Sequence, residues 1–132
     1  MLEHLDRDEA KEFFKEARRV LMSGGIIRLS VPDLRLRMDN YFHDEDADKF
    51  IESTLLSRPK PKSLFEKIKY SIVGDRRHMW MYDGKSLCKM LDSHGFENPQ
   101  VMKPGTTNIP DPGSLDLNER AEESLYVEAI NP

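Results

Sequence analysis

Cysteine is almost missing from this chain. Cys88 stands alone among 132 residues, which excludes an internal disulfide and any cysteine-rich zinc site. Its solitude also predicts a reducing, cytoplasmic setting. No apolar run approaches the ~20 residues that a membrane span requires. The opening stretch MLEHLDRDEAKEFF is acidic and amphipathic, so it reads neither as a signal peptide nor as an Arg-rich transit peptide. Positive charge is not in excess either. Twenty Lys and Arg face 24 Asp and Glu, a net charge of −4, and that balance gives no support for a nucleic-acid partner. Glycine-rich phosphate-cradling turns are lacking, since no G-x-G-x-G occurs and the only adjacent glycines are Gly24 and Gly25.

What remains is a highly charged chain with a modest apolar content. A third of the residues are charged and the mean hydropathy is −0.65. Leu, Ile, Val and Phe make up about a quarter of the chain, above the roughly 20% below which a charged chain stays disordered. The length fits a single domain of 1–132 at most.

The patterning predicts alternating helices and strands. Asp6 followed by Glu9 is a capping-box start, and Ala10, Phe13, Phe14, Ala17, Val20 and Leu21 fall on one helical stripe. A helix over 6–23 is expected, stopped by Gly24 and Gly25 with one of them left-handed. Ile26 to Val31 is a β-branched run closed by Pro32, so a strand over 26–31 follows. Asp33 can cap a helix carrying Leu34, Met38, Tyr41 and Phe42, the first part of a helical insert over 33–72. Phe50, Ile51, Leu55 and Leu56 predict a further short helix, and Leu64, Phe65, Ile68 and Ile72 another. Asp83 caps a helix over 83–94 with Leu87, Met90 and Leu91 inward and Gly95 at its end. A terminal strand pair is expected at about 98–103 and 124–130, joined by a Pro- and Gly-rich loop.

Two charge clusters invite functional readings. His43-Asp44-Glu45-Asp46 has metal-ligand residue types, but no second ligand cluster supports it and a solvated helix face accounts for it. Residues 58–78 hold seven Lys or Arg against Glu66 and Asp75. An anion- or nucleic-acid-binding surface there competes with ordinary solvation of exposed lysines.

Several segments in order resemble the C-terminal half of class I S-adenosylmethionine-dependent methyltransferases, of the methyltransferase type 11 kind. They are Met1-Leu2-Glu3-His4-Leu5, then Arg18-Arg19-Val20-Leu21-Met22-Ser23-Gly24-Gly25-Ile26, then Ser30-Val31-Pro32-Asp33-Leu34. His78-Met79-Trp80-Met81-Tyr82-Asp83, Gly95-Phe96 and Ser124-Leu125-Tyr126-Val127-Glu128-Ala129 continue the series. Met22-Ser23 stands where the family more often has Lys-Pro.

The resemblance implies an α/β fold, a partial Rossmann-like methyltransferase domain. It implies a small, mainly antiparallel three-stranded sheet in the order five-seven-six with four to five helices. It implies S-adenosylmethionine as cofactor, Glu3 and His4 lining the reaction and cofactor cleft, and His4 as a base near neutral pH. His78, Tyr82 and Tyr41 fall on the side of an unknown small-molecule acceptor. The same resemblance places the family's glycine-rich, cofactor-binding turn ahead of Met1, so methyl transfer by the isolated chain is not expected. A non-catalytic binding or assembly module is the competing reading. Nearness to the N-terminus predicts that Glu3 and His4 are solvent-exposed. Without a fourth strand, the 26–31 edge is expected to expose Ile26, Ile27, Leu29 and Val31 and to pair with a second copy or with a complementary N-terminal half.

Overall fold

The computed structural model describes residues 1–57 and 77–132. The helix predicted around Leu64 to Ile72, and most of the basic 58–78 stretch, lie outside the described residues.

A 3₁₀ turn over Leu2–His4 leads into α1 (Arg7–Val20). The capping box forms as its chemistry dictates. Asp6 Oδ1 accepts from the backbone N–H of Asp8 and Glu9, both at 2.9 Å, and Glu9 Oε2 accepts from the Asp6 N–H at 2.8 Å. Such a cap contributes about 1 kcal/mol.

The other end of α1 corrects the sequence expectation. The helix stops at Val20 and Leu21 is extended, so the glycines do not terminate it. Instead the Asn131 side-chain amide donates to the carbonyls of Leu21 (2.9 Å), Arg18 (3.3 Å) and Met22 (3.3 Å). Gly24, at φ +77°, turns the chain so that its N–H reaches the Asn131 carbonyl at 2.7 Å. Val20, assigned to the apolar stripe, is 62% exposed, because Ala10 and Phe14 define the inward face.

Three strands form one antiparallel sheet in the order β1 (Ile26–Pro32), β3 (Ser124–Ile130), β2 (Glu97–Met102). Both strand pairs are antiparallel, and the order is the one that the family resemblance implies. β2 begins one residue earlier than expected and its register shifts between Glu97 and Gln100, where Pro99 lacks a ladder N–H.

Period-two alternation divides the sheet into two faces. Ile27, Leu29 and Val31 pair with Ala129, Val127 and Leu125, and all six are buried. They form one core with Leu2, Ala10 and Phe14 and with Leu87, Met90 and Leu91 of α4 (Gly84–Ser93). This corrects the expectation that the β1 edge exposes its apolar side chains: Ile27, Leu29 and Val31 point under the helices rather than sideways.

The opposite face carries Arg28, Tyr126 and Glu128. Glu128 is 1% exposed, and it accepts from Arg28 Nη1 at 2.7 Å, from Thr107 Oγ1 at 2.5 Å and from the Asn108 N–H at 2.8 Å. The 103–123 segment therefore covers the polar face by hydrogen bonding to it.

α4 starts at an Asp83–Ser86 capping box and is followed by Gly95 at φ +82°. The helical insert yields α2 (Leu34–Asp44) and α3 (Ala47–Thr54) among the described residues. Their left-handed caps, Glu45 and Leu55, replace the glycine that would be the ordinary choice. Leu55 and Leu56, expected on the short helix, lie beyond its end and are exposed. Among the described residues no helix is long and apolar enough to cross a membrane.

Candidate functional site

The buried side chain of Leu2 anchors the N-terminal 3₁₀ turn in the core, which orients the two residues that follow it. The Glu3 carbonyl accepts from the N–H of Met79 (2.6 Å) and Trp80 (3.1 Å), drawing the 78–80 segment alongside. The N-terminal turn and the stretch before α4 are thereby held together by backbone geometry, independent of the side chains they present.

Those side chains converge. His4 and His78 meet edge to face with ring centroids 5.3 Å apart. His4 Nε2 lies 3.5 Å from Glu3 Oε1, and the Met1 ammonium is 2.7 Å from Glu3 Oε2. His78 Nδ1 is 2.8 Å from the Thr54 carbonyl and His4 Nδ1 is 3.0 Å from the Arg77 carbonyl. A carbonyl oxygen can only accept, so both Nδ1 atoms carry the proton. In the neutral rings Nε2 is then the lone-pair nitrogen.

Glu3 corrects the expectation of an exposed N-terminus: it is 7% exposed, whereas His4 is exposed as expected. Burial pushes the Glu3 carboxyl upward. The bond from the Met1 ammonium, its own backbone N–H and the charges of Met1 and His4 outweigh that, so it ionises below the ordinary carboxylate value. Burial also pushes His78 below the usual imidazole value, against the opposing pull of the Thr54 carbonyl and the Glu3 charge. His78 is thus a neutral imidazole at pH 7.

Tyr82 is 1% exposed; the Arg7 guanidinium lies within donating reach of its hydroxyl, whose own proton meets no acceptor among the described residues. Burial pushes its ionisation above the usual phenol range, so it remains a phenol even though the charge and hydrogen bond of Arg7 oppose the shift. Arg37 contributes a second unsatisfied buried atom, Nε, while its Nη2 donates to Glu123 at 3.1 Å. Arg37 is near enough to His78 to add to the lowering of its pKa. Buried polar atoms are normally paired, so Arg37 Nε and the Tyr82 hydroxyl proton stand out as groups without an acceptor among the described residues. A carboxylate, two imidazoles and a phenol together form a set able to move protons or to ligate an electrophile.

Of the sequence-predicted site residues, the structure brings Glu3, His4 and His78 together and places Tyr82 within electrostatic reach of Glu3. Tyr41 is not gathered in. Its ring packs against Phe50 at 5.5 Å and lines a separate hollow of about 150 Å³ between α2 and α3. Trp80 stays 44% exposed, with the Arg7 guanidinium 4.9 Å from its ring centroid. In the acidic 43–46 run, Asp44 pairs with Lys49 and Asp46 caps α3, so these acids serve local structure.

Sequence reasoning missed Thr54, Arg37 and Arg7. Thr54 acts through its backbone carbonyl, which has no side-chain signature at all. Arg37 is partly covered, its side chain 17% exposed, by tertiary packing that helical periodicity cannot indicate. Also missed was a cavity of about 380 Å³ beside β1, lined by Glu3, Arg28, Ser30, Arg120 and Tyr126. Glu3 therefore borders both the histidine pair and a cavity beside β1, an edge strand among the described residues. Comparison of the chain with protein-family models, with curated proteins and with solved structures finds no match in any of the three.

Proposed function

We propose that this chain is the acceptor-side portion of a class I S-adenosylmethionine-dependent methyltransferase, acting on a small molecule. The observation that carries the reading is the convergence of Glu3, His4 and His78 with Tyr82 nearby, four residues drawn from two segments far apart in sequence. The β1-β3-β2 antiparallel order supports it, because it matches strands five, seven and six of a partial Rossmann-like fold.

In such a reaction the sulfonium cofactor supplies the electrophilic methyl group. This chain's residues would align and deprotonate the acceptor. His4, exposed and with its Nε2 lone pair beside Glu3, takes the part of general base. Tyr82, with Arg7 donating towards its oxygen, gives its free hydroxyl proton to the acceptor. No G-x-G-x-G lies within these 132 residues, so the donor would be held by a complementary portion docked along the free edge of β1 (26–31). The 380 Å³ cavity lies on that edge.

Calorimetry with S-adenosylhomocysteine tests this. The 132-residue chain should give no heat at millimolar ligand, and the chain extended by the reading frame upstream of Met1 should bind. An extended product that also fails to bind, with its fold confirmed by circular dichroism, contradicts the proposal.

A second reading, a non-catalytic assembly module, is favoured by the closed apolar core that unites α1, α4 and the sheet. It predicts self-association through 26–31 in sedimentation, with no response to the cofactor.

A further inference from the structure

We infer that Glu3, His4 and His78 form a binding site for a single divalent first-row transition metal, with Zn²⁺ as its representative. One ligand atom from each of the three lies within 4.8 Å of the other two. Bond lengths of about 2.1 Å at tetrahedral angles place ligand atoms about 3.4 Å apart. The His4 Nε2 to Glu3 Oε1 separation is already 3.5 Å. The remaining separations, none above 4.8 Å, need to close by at most about 1.4 Å to reach that spacing.

The tautomers strengthen the case beyond mere proximity. A metal-ligating histidine characteristically donates its other ring N–H to a carbonyl or carboxylate, which fixes the ring and its lone pair. Both rings here do so, His78 to the Thr54 carbonyl and His4 to the Arg77 carbonyl. Two rings from separate segments have the outer bonds of a ligand pair.

The donor set selects the class of metal. Two imidazole nitrogens and one carboxylate suit Zn²⁺, Fe²⁺, Co²⁺ or Ni²⁺, whereas Mg²⁺ and Ca²⁺ demand oxygen ligands. Three protein ligands leave a coordination position open, the arrangement of reactive rather than purely structural sites. His4 is the exposed member, so the cluster is reachable from solvent on its side. Metal binding is independent of the methyltransferase reading and would stand if that reading failed.

The test uses the untagged 132-residue chain, stripped with chelator and titrated with Zn²⁺ against a chromophoric competitor, without any methyl donor. One Zn²⁺ per chain is expected, and Co²⁺ should give the intense visible absorption of a low-coordinate nitrogen and oxygen site. His4→Ala and His78→Gln should each weaken binding by more than about tenfold, a loss that even outer-shell changes can reach. His43→Ala and Cys88→Ser should leave the affinity unchanged. His4 is exposed, so His4→Ala keeps the decision clear even if His78→Gln fails to fold. Absence of saturable binding at millimolar Zn²⁺ overturns the site. So does an affinity unchanged in His4→Ala when its circular dichroism matches the parent.

Discussion

The side-chain amide of Asn131 donates to the carbonyl of Leu21 at 2.9 Å, so the end of the chain closes the C-terminus of the first helix. Asn131 Oδ1 in turn accepts from Arg18 Nε at 3.2 Å. Helix-end carbonyls have no partner within the helix, and here one buried amide serves two of them, Arg18 and Leu21, as well as the Met22 carbonyl just beyond.

Asn131→Ala should therefore destabilise the protein by about 2 kcal/mol, the scale of leaving buried acceptors unsatisfied. Thermal unfolding should show the midpoint fall by several degrees. An unchanged midpoint would mean that water satisfies these carbonyls.

Phe14 and Val20 lie on the same helix and separate the true inward face from the apparent one. Phe14 is fully buried and packs edge to face near Phe96 at 6.3 Å. Phe14→Ala should cost roughly 3–5 kcal/mol through lost burial and the cavity left behind. Val20→Ala should change stability by less than about 0.5 kcal/mol, as exposed substitutions do. Urea midpoints of the two variants give the comparison directly.

Glu128 makes stability depend on acid. Burial raises its carboxyl, but the hydrogen bonds from Thr107, Asn108 and Arg28 and the Arg28 charge leave it below the ordinary 4.5. A carboxylate with a depressed folded-state pKa contributes stability that is complete above its unfolded value. That contribution is lost as pH falls through the folded value. Glu128→Gln leaves the Arg28 cation buried without its counter-charge, which should cost about 3 kcal/mol near neutrality. The gap between parent and variant should narrow as pH drops below about 4.5. Denaturant titrations at several pH values check it, and a gap constant with pH would contradict the assignment.

How much of this was legible in the sequence follows the range of each interaction. The Asp6–Glu9 and Asp83–Ser86 caps close over three residues, so local residue types reveal them. The β-branched run at 26–31 and the strand at 124–130 are legible because period-two burial needs only neighbouring residues. Asn131 capping Leu21 joins opposite ends of the chain, and no local rule reaches that far. The Glu128–Arg28 pair was hidden because alternation alone marks both positions as solvent-facing, yet the 103–123 segment lies over them. Within the site, resemblance singled out Glu3, His4, His78 and Tyr82. It could not indicate that Glu3 is buried, since burial follows from Leu2 locking the turn into the core. Tyr41 was drawn in by the same resemblance but packs with Phe50, a contact set by how α2 folds back on α3.

The central claim is that His4 and His78, from distant segments, share one site with both rings held as Nδ1–H tautomers. Long-range nitrogen–proton correlation NMR of the imidazole rings measures this directly, with His4→Ala and His78→Gln assigning the signals. At a pH where both rings are neutral, each should report a protonated Nδ1 and a bare Nε2, and addition of Zn²⁺ should move both Nε2 resonances together. Rings that show the solvent-averaged mixture of free histidine, and Nε2 signals that do not respond together, would contradict the account.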